Sequence, residues 1–184
     1  SRGGVPTTPF DMTDPTSFNN STAVSVYDSL GNSHTLQTYY VKTAAGEWDV
    51  HASTDGGAAS AMGGLSFNSS GALTTPMPYT VPVVVTTGAT TPLTIEVDFT
   101  GSTQFGSAFS VNTLNQDGYT SGRLAGFDIG ADGVVLGRYT NGQSAVLGQV
   151  VLANFANPNG LQQLGNNMWA ETATSGNPLI GVPS

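Results

Sequence analysis

Residues 115–161, NQDGYTSGRLAGFDIGADGVVLGRYTNGQSAVLGQVVLANFANPNGL, read as three short strands punctuated by turns. Phe127, Asp128 and Ile129 lead into Gly130-Ala131-Asp132-Gly133, and Val134 to Tyr139 returns. Thr140-Asn141-Gly142-Gln143 then turns into an apolar run from Ala145 to Phe155. Asp-Gly and Asn-Gly supply the positive φ that tight turns require, so the spacing predicts two connected hairpins. The last run departs from the usual alternation. Val146, Leu147, Val150, Val151 and Leu152 put apolar groups on both faces, where a half-exposed strand would alternate. Both faces therefore require cover, from more of this chain or from a neighbouring copy.

The same punctuation extends upstream. Residues 1–20 carry Pro6, Pro9 and Pro15, which forbid a continuous helix and predict an extended lead-in, with Phe10 and Phe18 as pegs onto the body of the protein. From Ser21 an antiparallel meander is expected. Val24 and Val26 oppose Ala23, Ser25 and Tyr27; Asp28-Ser29-Leu30-Gly31-Asn32 turns; Leu36, Thr38, Tyr40 and Lys42 oppose Gln37, Tyr39 and Val41. After a turn at Gly46, Trp48 and Val50 face one way and Glu47, Asp49 and His51 the other. This alternation predicts Tyr40 and Trp48 inside and Tyr39 outside. Ser53 to Gly64 reads as a mobile small-residue loop. Leu65 begins a short strand, Pro76, Pro78 and Pro82 mark an edge, and Val83 to Thr86 is again strand-like. Leu93, Ile95, Val97 and Phe99 form the cleanest alternating strand.

The pattern breaks between Gly101 and Ser110, which places a domain boundary there, giving residues 1–105 and 106–184. Leu161 to Leu164 predicts at most one helical turn, Met168 to Ala170 a final short strand, and residues 175–184 an irregular tail. No segment sustains a 3.6-residue period. The fold class expected is all-β: two β-barrel-like or sandwich-like domains in an elongated body, with no long helices.

Composition narrows the function. Only 9% of residues are charged, and 12 acidic against 4 basic residues give a net charge of −8. There is no basic stripe to meet phosphates, so nucleic acid and anionic membrane surfaces are poor partners. The absence of cysteine removes disulfides, thiolate metal sites and a cysteine nucleophile. No run approaches the roughly 20 apolar residues of a membrane-spanning helix. Since Ser1 is not a start methionine, the chain is read as a fragment.

Candidate chemistry is sparse. Glu96 and Asp98 lie two apart, with carboxylates roughly 7 Å apart on one strand face, a spacing that glycoside hydrolases use. The polar side of an amphipathic strand accounts for them better, since charges usually lie on exposed faces. Asp128 and Asp132-Gly133 lack the alternating ligands and closing Glu of a calcium loop, and read as a turn. His34 and His51, the only histidines, are placed beside a turn and on a polar face, both solvated. Tyr39, Tyr40 and Trp48 suggest a sugar-stacking platform only if several are exposed.

One resemblance covers most of the chain. NQDGYTSGRL, DGVVLGRYTNGQ and LGQVVLANFANPNGLQQLGNNMWAETATSG, in that order, resemble the C-terminal part of the middle region of flagellar hook proteins. VSVYDSLGNSHTLQTYYVKT resembles the start of their outer domain. Axial rod proteins share a looser version. The resemblance implies that residues 1–105 are an outer hook domain inserted into an inner one, of which 106–184 supply the C-terminal half, the other half lying in upstream sequence. It implies a structural subunit, not an enzyme, polymerising outside the cell into a flexible curved tube that transmits motor torque to the filament. The implied partners are copies of itself and the rod, junction and hook-cap proteins, with export lacking a cleaved signal peptide. No cofactor, metal, nucleic acid, membrane or small-molecule substrate is implied.

A bending tube needs contacts that lengthen and shorten cheaply, and polar, wet loops suit that better than buried ion pairs or interlocked apolar patches. The loops Asp28–Asn32, Ser53–Gly64 and Thr86–Thr91 are therefore the expected subunit contacts, through Asp28, Ser29, Asn32, Asp55 and Thr90. The alternatives are an axial rod protein, a secreted carbohydrate-binding β-sandwich module using Tyr39, and a secreted hydrolase using Glu96 and Asp98.

Overall fold

Val24 and Val26 alternate with the exposed Ala23 and Ser25 along β1 (Asn20–Tyr27), and that alternation sets the inner face of the first sheet. β1, β2 (Ser33–Ala44), β3 (Glu47–Thr54) and β4 (Ser60–Ser66) pair antiparallel in chain order. The computed structural model describes residues 3–183; Ser1, Arg2 and Ser184, the extremes of the lead-in and tail, lie outside the described residues. Two compact units result, divided between Ser121 and Gly122.

In unit 1 the register sets Val24 opposite Leu36, and Ala52 opposite Thr38. A hairpin of β5 (Tyr79–Val83) and β6 (Leu93–Val97) packs on this face. Leu36, Ala52, Val81, Val83, Val85 and Ala89 form the buried core, with Val24, Val26, Met62 and Ile95 around it. Each fully buried large aliphatic contributes about 1.5–3 kcal/mol, which makes this two-layer arrangement the stabilising centre of unit 1. Pro82 lies on β5, whose one sheet partner among the described residues is β6, so its missing N–H disturbs no second ladder there.

The second face of the sheet is covered as well. Phe10 stacks on His51 with ring centroids 4.0 Å apart, and both Phe10 and Phe18 pack against Tyr39 at 5.4 and 5.0 Å. The wholly buried Ser17 folds the lead-in on itself, donating to the Asp11 carbonyl (2.7 Å) while accepting the Asp11 N–H (2.9 Å). The Lys42 N–H donates to Asn19 Oδ1 (2.8 Å), which ties the lead-in to β2. Phe10 and Phe18 thus act as pegs, as expected.

Their cover reverses another expectation. Tyr39 is only 3% exposed, whereas Tyr40, on the core side, is partly buried between Phe99 and Phe109. Trp48 is half-buried, its indole N–H donating to Gln104 Oε1 (2.7 Å). The stretch 53–64 is not a loop over its length. β3 runs to Thr54 and β4 starts at Ser60, because small residues pair as edge strands once a partner ladder is available.

The boundary read near residue 105 falls inside unit 1. Residues 106–121 form no strand but lie along it: Phe109 meets Tyr40, and Gly31 sits under Ser121. Gly31 has φ +80°, and a Cβ there would collide with the Ser121 backbone nitrogen, so both its own conformation and this crossing exclude a side chain.

In unit 2 the two predicted hairpins form, as β7 (Leu124–Ile129), β8 (Val134–Tyr139) and β9 (Ser144–Gln149) in one sheet. The apolar run that follows is not one strand. The Val150 N–H bonds back to the Gly133 carbonyl (2.8 Å), and the chain leaves to form β10 (Leu152–Asn154) with β13 (Leu179–Gly181). Residues 179–181 of the expected tail are therefore a strand. The single helical turn lies at Pro158–Gly160, ahead of the expected place; Gln162–Gly165 is instead β11, paired with β12 (Met168–Ala170) across the positive-φ residues Asn166 and Asn167. Among the described residues there is no α-helix, and the chain is all-β as expected.

Candidate functional site: three loops joined at one end of unit 1

The β1–β2 turn is built by Asp28. Its carboxylate has no exposed surface and accepts the N–H of Leu30 (2.9 Å), the N–H of Asn32 (2.9 Å) and the Asn32 amide (2.9 Å). From the β5–β6 loop, the Thr87 hydroxyl donates to the same carboxylate. From β2, His34 Nε2 lies 3.3 Å away. Burial alone would raise this carboxyl, but the hydrogen bonds from Thr87, Asn32 and His34 outweigh it and hold Asp28 far below the ordinary carboxylate range.

His34 reaches the third loop. Its Nδ1 lies 2.7 Å from Asp55 Oδ2 in the β3–β4 turn, and Asp55 Oδ1 accepts the Thr35 N–H (2.7 Å). The imidazole is 7% exposed and lies between two carboxylates, whose hydrogen bonds, that of Asp55 first, push it above its ordinary value. Asp55 is lowered in turn by the bond to His34 and the backbone bond from Thr35. Finally, the Thr90 N–H donates to Ser29 Oγ (2.9 Å), a second tie between the β1–β2 turn and the β5–β6 loop.

All five residues named from sequence therefore gather in one cluster. Ser29, Asn32, Asp55 and Thr90 are exposed, as a contact surface needs, while Asp28 is buried and can only shape the surface its neighbours present. Sequence reasoning missed His34 and Thr87. His34 is not solvated; it stands on the core-side alternation of β2 with Leu36 and Thr38, and that position was the available signal. His51 is only half-buried, but Phe10 stacks on it and burial depresses its basicity.

The other sequence candidates stay apart. β6 ends at Val97, and Asp98 beyond it accepts the N–H and hydroxyl of Thr100, whereas Glu96 remains on the exposed side of β6. Asp132 accepts the Val134 N–H within its turn, and Asp128 pairs with Arg138 at 2.7 Å on open surface, where such pairs contribute little. With Tyr39 buried, the proposed sugar platform loses its outward ring.

Unit 2 presents a different surface. Only Gly133, Gly137 and Ser175 among its described residues are buried, while Phe127, Val146, Leu152, Trp169, Leu179 and Ile180 are all more than half exposed. The cover that the two-sided apolar run demanded is not supplied by the described residues of the chain.

A β-sandwich tied together by polar loops, followed by thin sheets with exposed apolar strands, defines the class as an all-β protein of two units. Comparison with known proteins makes the class specific. Residues 1–119 match the family model described as flagellar basal body protein FlaE D2 domain, and the chain belongs to that family. It is 42% identical over 181 residues to the flagellar hook protein FlgE of Salmonella typhimurium, covering 95% of this chain and 45% of the relative. It is 34% identical to the flagellar hook protein FlgE of Helicobacter pylori, covering 88% of this chain and 25% of the relative. The crystal structure of Helicobacter pylori flagellar hook protein FlgE2 matches 88% of this chain and 39% of that one at a TM-score of 0.55 and 22% identity, a likeness of fold. The chain thus spans less than half the length of these relatives.

Proposed function

We propose that this chain is the middle part of a structural subunit of the bacterial flagellar hook, which polymerises outside the cell into a flexible curved tube and passes motor torque to the filament. The observation that carries this reading is the 42% identity to a hook protein over 95% of the chain, which takes in both units. In this reading residues 1–105 are the outer hook domain and residues 106–184 the C-terminal half of the inner one. The open apolar strands of unit 2, which begins at Gly122, support an incomplete inner domain in that part of the chain, because sheets without a core of their own are stable only when covered. The partners would be copies of the same subunit and the rod, junction and cap proteins, reached by export without a cleaved signal peptide.

The exposed members of the loop cluster are the proposed contact with neighbouring subunits. Leu30 and Thr90 project from it without their side chains holding the turn together. Leu30→Arg with Thr90→Arg in the full-length protein should alter hook curvature and reduce swimming in a strain lacking its own hook protein. The melting of the purified chain should change by no more than about 0.5 kcal/mol, as for other surface positions. Hooks of normal shape and normal swimming would remove these loops from the interface.

A further inference from the structure

Among the described residues, His34 touches both the β1–β2 turn and the β3–β4 turn through a charged hydrogen bond, and its partner Asp28 extends the connection to the β5–β6 loop. We propose that His34, as an imidazolium, is a proton-dependent latch that clamps the β3–β4 turn to the rest of this loop cluster, and that loss of its proton releases the turn.

The geometry requires the doubly protonated ring. A neutral imidazole carries one N–H, yet both ring nitrogens face carboxylate oxygens, at 2.7 and 3.3 Å, and a carboxylate can only accept. Removing the proton sets a nitrogen lone pair against an oxygen lone pair at one of the two contacts. The two carboxylates are unequal in their freedom to yield. Asp28 is enclosed and held by Thr87, Asn32 and the turn's own backbone, whereas the Asp55 side chain is 52% exposed and begins the sequence Asp55-Gly56-Gly57. Asp55 also sits at φ +51°, a conformation unfavourable for a residue with a side chain, so turning loose relieves strain as well. The β3–β4 turn is thus the part that opens.

The surroundings add no competing charge. β1 and the β5–β6 loop, residues 84–92, contain no charged residue, and Asp28 and Asp55 are the charged groups that act on the ring. Because His34 binds its proton more tightly when folded, its stabilisation is complete below the unfolded-state value of about 6.5 and is lost as pH rises through the raised folded value. The carboxylates act in the opposite direction: both are lowered, so their contributions are lost only as pH falls below the ordinary carboxylate range. The latch is closed between these limits and opens on the alkaline side.

The test is an NMR titration of the 184-residue chain, following the two imidazoles together with amide exchange in the β3–β4 turn, corrected for its intrinsic pH dependence. His34 should titrate above His51. Protection of the Asp55 and Gly57 amides, which bond to the Thr35 and Thr54 carbonyls at 2.9 Å, should fall about tenfold through the His34 midpoint. In Asp55→Asn, which leaves the buried part of the cluster intact, the fall should vanish and the His34 midpoint should move down. Turn amides that keep constant protection through the His34 titration, or a His34 that titrates at or below His51, would overturn the latch. So would an unchanged His34 midpoint in Asp55→Asn.

Discussion

Tyr39→Ala lowers the unfolding free energy of unit 1 by about 3–5 kcal/mol, the range for truncating a buried aromatic ring. The ring is 3% exposed and enclosed by Phe10 at 5.4 Å and Phe18 at 5.0 Å, so its loss leaves a cavity beneath the lead-in and frees both phenylalanines from their seat. Residues 3–19 should become open to proteolysis under conditions where the remainder of unit 1 is still folded. Urea unfolding monitored by circular dichroism, with limited proteolysis beside it, measures both effects. Tyr39→Phe keeps the ring volume and should cost less than about 1.5 kcal/mol. An alanine variant that loses no more than about 0.5 kcal/mol would return Tyr39 to the solvent-facing place that alternation alone assigns it.

Leu36→Ala acts on the opposite face and should cost about 2–5 kcal/mol. Leu36 is 2% exposed at the junction of the two layers, within the core formed with Ala52 of β3, Val81 and Val83 of β5, and Val85 and Ala89 beyond it. The pairing of β5 with β6 alone makes a two-stranded hairpin, which is marginal in water without a face to bury. The substitution should therefore strip amide protection from Val81 and Ile95 before it affects the β2–β3 ladder. Leu36→Met, near in volume, should retain most of the stability. Equal loss of protection in both layers would mean that the hairpin and the sheet open as one cooperative unit.

Much of this fold was legible because its signals are local. The turn at Asp28–Asn32, the Gly46 turn and the hairpins around Gly133 and Gly142 each rest on residues that permit a positive φ, and all appear where they were read. The alternation of Leu93, Ile95 and Val97 also needs only its own strand. The misplaced elements share one cause. Ser60 to Gly64 has little intrinsic strand preference and becomes β4 because β3 offers it a ladder. β10 and β13 find each other across residues 155–178, a separation that no local pattern records.

The candidate site divides in the same way. The polarity and looseness of the three loops could be read from composition, and the five residues chosen on that ground do lie together. That Asp28 is enclosed, that His34 joins two turns and that Thr87 closes the third loop onto them depends on long-range packing.

The order of residues by itself determined the all-β class, the hairpin turns, the apolar run that must be covered on both faces and the likeness to hook proteins. The first three follow from backbone conformations and side-chain periods within a few residues of one another; the likeness rests on the resemblance of whole stretches such as DGVVLGRYTNGQ. Only the tertiary structure decided that Tyr39 is buried while Tyr40 is the more open, and that a histidine expected in water holds a buried carboxylate. Both outcomes depend on segments distant in sequence, the lead-in and the β5–β6 loop, which remove water from positions that strand alternation alone leaves open.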